Sequence, residues 1–98
     1  MPGATLVLDG VLTPKGFVQL TDTLSSAVGL SPPDGAWCCL IQALVNNVRW
    51  RDDGEDPTDA IGMQIEVGKD FWYNGDLTAI KFIEEAASGE LNISYYGG

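Results

Sequence analysis

Residues 48–83, VRWRDDGEDPTDAIGMQIEVGKDFWYNGDLTAIKFI, decide the fold. Val48-Arg49-Trp50-Arg51 alternates apolar and charged residues, the mark of a strand with one buried face. Asp52 to Asp59 then breaks the pattern with Gly54, Pro57 and a cluster of carboxylates. Alternation returns at Met63-Gln64-Ile65-Glu66-Val67 and is followed by the aromatic run Phe71-Trp72-Tyr73. Asn74-Gly75 closes that run as a hairpin-type turn. The middle of the chain therefore predicts a small antiparallel β-domain.

Working outward, Ala36 to Leu44 (AWCCLIQAL) is the most apolar segment. Alternation there puts Trp37, Cys39, Ile41 and Ala43 on one face and Cys38, Leu40 and Gln42 on the other. Both faces are largely apolar, which fits a central strand covered on both sides or a buried helix; its length and the flanking Pro and Gly favour the strand. Asn46-Asn47 turns it into Val48. Upstream, Phe17 to Leu20 is a candidate strand, Thr21 to Ser26 a polar turn, and Ser31-Pro32-Pro33-Asp34-Gly35 a break. The ending Leu91 to Tyr96 alternates, with Leu91, Ile93 and Tyr95 predicted inside and Gly97-Gly98 a loose end. Asp76 to Ala87 fits two patterns. Asp76 can cap a helix with Leu77, Ile80 and Ile83 as its stripe, or Leu77 to Ile83 can be a strand; β-rich neighbours favour the strand.

About eight short strands at roughly ten-residue spacing predict an all-β, small antiparallel β-sandwich of jelly-roll-like form. The three Trp and three Phe are its expected core. Residues 1–16 read as an N-terminal arm or edge hairpin and residues 17–98 as one sandwich domain. In the arm, Leu6, Val7, Leu8, Val11 and Leu12 are apolar residues with which a strand could join a neighbouring sheet.

Composition bounds the function. The chain has 98 residues, enough for one modest core, and a net charge of −9. That charge disfavours nucleic acid and anionic membrane surfaces as partners, because phosphate would be repelled. No stretch is apolar over the roughly 20 residues a membrane helix needs, and Met1 to Leu12 lacks the basic start of a signal peptide. Synthesis in a cytoplasm is expected. Cys38 and Cys39 are adjacent, so on a strand they point to opposite faces and read as buried thiols in a reducing compartment.

There is no histidine, which removes Ser-His-Asp and Cys-His catalysis and most zinc sites. No Gly-rich phosphate loop occurs. The expectation is that the chain is not an enzyme and takes no cofactor or metal. Asp52 to Asp59 offers carboxylates that could hold Ca²⁺, but without the spacing of an EF-hand loop; otherwise it is a solvated turn pairing with Arg49 or Arg51. Trp37, Trp50, Trp72, Tyr73, Tyr95 and Tyr96 could form a sugar platform or a protein interface. Alternation puts Trp50 and Tyr95 inside. It leaves Tyr96 and one of Trp72 or Tyr73 outside.

One resemblance runs through residues 36–96. Leu40-Ile41-Gln42-Ala43, Val48-Arg49-Trp50-Arg51-Asp52-Asp53-Gly54, Pro57-Thr58, Ile61-Gly62-Met63, Gly75 to Ile83 and Leu91-Asn92-Ile93-Ser94-Tyr95-Tyr96 follow in order. That order resembles small virion proteins of tailed bacteriophages. The resemblance implies a jelly-roll-like structural component made in the bacterial host cytoplasm and built into the virion. Such proteins sit on the capsid surface as decoration or cement, at the neck, or at fibre and tail attachments; the expectation adopted is a capsid decoration or cement subunit, bound to the major capsid protein or other virion subunits, with a carbohydrate-binding module on a fibre, tail or neck as the alternative. It also favours the strand over Leu77 to Ile83. A homo-oligomer, taken as a trimer, is the default for such a module.

Overall fold

A computed structural model describes residues 11–98. Among them the strands are β1 (Thr13–Leu20), β2 (Val28–Gly29), β3 (Ala36–Leu44), β4 (Val48–Arg51), β5 (Met63–Ile65), β6 (Asp70–Tyr73), β7 (Lys81–Glu84) and β8 (Glu90–Gly97). They form two four-stranded antiparallel sheets. Sheet A has the order β1-β8-β3-β6 and sheet B the order β2-β7-β4-β5. The pairs nest: first with last, second with seventh, third with sixth, fourth with fifth. This is the wiring of a long hairpin rolled into two layers, a jelly-roll β-sandwich. The predicted all-β sandwich is the fold.

The core lies between the sheets. Cys39, Ile41 and Ala43 of β3 and Leu91, Ile93 and Tyr95 of β8 face Val48, Ile65 and Phe82 of sheet B. Each comes from alternate positions of its strand, as the sequence pattern requires. Burying Phe82, the largest fully enclosed side chain, contributes about 2–3 kcal/mol.

The structure departs from the sequence expectations in several places. Trp37 does not join Cys39 and Ile41. Ala36 pairs with Gly97 and Cys38 with Tyr96, so β3 carries one extra residue there. That bulge interrupts the alternation and turns Trp37 out, 40% exposed. Tryptophan and phenylalanine are therefore not the core as a set. Phe82 is enclosed, and Trp50 and Phe71 pack half-buried against the core cluster, while Phe17 and Trp72 are exposed with Trp37. Their place is taken by Leu24, Ile80 and Leu91, all fully buried. Leu24 lies in the segment read as a polar turn; its carbonyl accepts a hydrogen bond from the Glu84 N–H at 2.9 Å.

Strand β7 starts at Lys81, later than the strand predicted over Leu77 to Ile83. Asp76 instead caps a turn. Its Oδ1 accepts the Thr78 N–H at 2.9 Å and the Thr78 hydroxyl at 2.6 Å. Its carbonyl accepts the Ala79 N–H. The turn drops Leu77 and Ile80 into the core. At the other end β1 begins at Thr13, so residues 13–16, placed by the sequence in the arm, pair with β8. Gly97 is no loose end. It lies between Thr13 and Ala36, and a Cβ there would overlap the Gly35 carbonyl oxygen.

Candidate functional site

The sandwich has two outer faces. On sheet A the pairing lines up rows of side chains across the strands. Phe17, Ser94, Leu40 and Trp72 are mutual neighbours in register. So are Gln19, Asn92, Gln42 and Asp70. Tyr96 of β8 stands beside Trp72, ring centroids 5.5 Å apart and tilted 48°. Phe17 is 65% exposed and Trp72 39%. The amide row is paired internally: Gln19 donates to Asn92 and Gln42 donates to Asp70, each at 2.8 Å. Charged residues on these four strands are Lys15, Asp70 and Glu90, all near strand ends. The nine residues of β3 carry none.

Sheet B presents the opposite chemistry. Arg49 Nε lies 2.8 Å from Glu85 Oε2, which also accepts from Gln64 Nε2 at 2.7 Å. Arg49 Nη1 donates to the Gly62 carbonyl at 3.0 Å. Arg51 and Lys81 pair with Asp53 and Asp56 of the acidic loop at 2.6 and 3.0 Å. The hydrogen bond from Arg51 holds the Asp53 carboxyl below its ordinary range. Among the described residues no three acidic or thiol groups are grouped to hold a metal ion.

Of the aromatic residues that the sequence singled out, Trp72 and Tyr96 come together on the outer face. Tyr73 does not: it is buried, and its hydroxyl donates to Asp52 Oδ2 at 2.7 Å. Burial and then the Asp52 carboxylate push its phenol up. Register decides between the two neighbours, since Trp72 pairs with outward Leu40 and Tyr73 with inward Cys39. Trp50 packs against Phe71 and Tyr73, at 5.3 and 5.6 Å between ring centroids, and Tyr95 is buried, both as predicted. Leu6, Val7 and Leu8 lie outside the described residues; Val11 is exposed and Leu12 half-buried, just before β1. Phe17 and Leu40 complete the face and were missed. Leu40 is the outward residue of a strand apolar on both sides, and that second apolar face was the available signal.

Cys38 and Cys39 are free, buried thiols on opposite faces of β3. Burial pushes the Cys39 thiol up to about 12. An apolar groove of about 440 Å³ opens between β1 and β2, lined by Val18, Leu20, Val28, Leu30 and Pro33. Its polar side chains, Ser31 and Tyr95, do not make an acid–base pair. No helix among the described residues is long and apolar enough to cross a membrane. Comparison with protein-family models, curated proteins and solved structures finds no match to this chain.

Proposed function

We propose that this protein is a structural component of a tailed-bacteriophage virion, a decoration or cement subunit on the capsid surface. In this proposal it is a homo-oligomer, taken as a trimer, that binds the major capsid protein or other virion subunits, and it does no catalysis. The observation that carries the reading is the outer face of sheet A. Phe17, Leu40, Trp72 and Tyr96 form an apolar, nearly uncharged surface on a chain of net charge −9. Aromatic residues with few charges are the composition of an interface centre. The motif order over residues 36–96 supports the same reading, and so does a strongly acidic remainder, which keeps the subunit off DNA.

The apolar residues before β1 serve in this reading as an arm that adds to a neighbouring sheet. Mass spectrometry of purified particles tests the assignment. The expected result is this chain at a copy number on the scale of the shell subunits. A copy number fit only for the neck or tail moves it off the capsid surface, and its absence from particles overturns the reading. Deleting Met1–Gly10 is expected to leave a folded domain that assembles less well.

A further inference from the structure

We infer that the outer face of sheet A is where copies of this chain bind one another, with Phe17, Leu40, Ser94, Trp72 and Tyr96 at the centre of the contact. The inference deepens the proposed function by naming the surface of self-association, and it rests on that reading only for its biological setting.

The face carries few charges, so a second copy can meet it without setting like charges against each other. Two chains of net charge −9 repel wherever their acidic surfaces meet. The acidic loop and Glu85 pair with cations of sheet B. Sheet B lies on the far side of the core, the two packed sheets being about 10 Å apart. Copies meeting through sheet A therefore do not bring those sheet B carboxylates face to face. The face bears no compensating cationic cluster that would fit it to an acidic partner.

The polar row points the same way. A glycan site needs amides free to bind sugar hydroxyls. Here Gln19 and Asn92, and Gln42 and Asp70, already satisfy one another. Such pairs lose little when water is expelled, whereas unpaired amides would cost more. The 48° tilt between Trp72 and Tyr96 gives relief for interdigitation, not a flat shelf for one ring. Four strands at about 4.8 Å spacing and about 3.4 Å per residue along eight-residue β8 give a footprint near 500 Å². With side-chain relief this is the order of the roughly 800 Å² each partner buries in a standard interface.

The test is sedimentation equilibrium of the full chain, with Ser94→Arg and Trp72→Ser on the face and Ile83→Lys on sheet B as control. Circular dichroism and thermal unfolding check that each variant is folded. The expected result is an oligomer for the wild type and Ile83→Lys, with at least tenfold weaker association for the two face variants. A second fold check is Cys39, which stays unreactive in any folded variant. A monomeric wild type overturns the inference, including one that binds a neutral glycan through Trp72. So does an oligomer that persists in folded Ser94→Arg and Trp72→Ser. An oligomer with these responses that is absent from virions sustains the inference while the virion reading falls.

Discussion

The two outer faces of one sandwich solve the problem of meeting water in opposite ways. Sheet B neutralises itself: Arg49, Arg51 and Lys81 each find a carboxylate within its own chain. Sheet A leaves Phe17 and Trp72 exposed and pairs its amides with each other. The difference teaches that exposure alone is a poor guide to function. A charged face with its partners in place needs nothing further, while an apolar face with satisfied polar groups is ready to be covered.

The contrast holds only if both faces stand on one core, so the most damaging test strikes there. Phe82→Ala is expected to cost about 3–5 kcal/mol in denaturant unfolding and to abolish the properties of both faces together. Selective loss of one would mean two separate cores. Next comes Tyr73→Phe, which leaves Asp52 without its donor and is expected to cost about 1 kcal/mol. The phenols of Tyr73 and Tyr95 are both raised, Tyr95 to about 12, by burial first. A raised phenol favours the folded state below its unfolded pKa near 10, and that stability is lost as pH climbs through the folded value. An ultraviolet titration should therefore show two tyrosines resisting ionisation until the protein unfolds in alkali.

Smaller effects sharpen the contrast. Arg49→Met is expected to cost about 1 kcal/mol, because Glu85 and the Gly62 carbonyl lose a half-buried partner. Lys81→Met breaks an exposed pair and should stay within about 0.5 kcal/mol. Salt separates the faces without mutation. Raising the ionic strength weakens the Lys81–Asp56 and Arg51–Asp53 pairs, yet it should strengthen association through sheet A by screening the shared negative charge. Sedimentation at two salt concentrations reads this directly.

Much of the fold was legible because alternation is a two-fold code and one side of each strand must be dry. Val48-Arg49-Trp50-Arg51 and Leu91 to Tyr96 show it plainly. What alternation cannot supply is phase after an inserted residue, hence the misplacement of Trp37 at the bulge. Nor does it choose which of two apolar neighbours faces in. Trp72 and Tyr73 were separated only by the register of β6 on β3. Leu24 was invisible because a lone apolar residue in a polar turn has no period. The Asp76 cap was visible as a capping residue, but its turn is too short to repeat. The outer face was half legible: Trp72 and Tyr96 stood out as aromatic, whereas Phe17 and Leu40 joined them only through pairing across strands distant in sequence.

The position of β8 has a consequence for how the protein is born. Sheet A is held through β8, which lies between β1 and β3. Neither β1 nor β3 has its main neighbour until that strand has left the ribosome. β3, the most apolar of these strands, therefore lacks its main neighbour until β8 is made, so closing sheet A is a late, non-local step, and until then β3 is the segment most in need of shelter from aggregation.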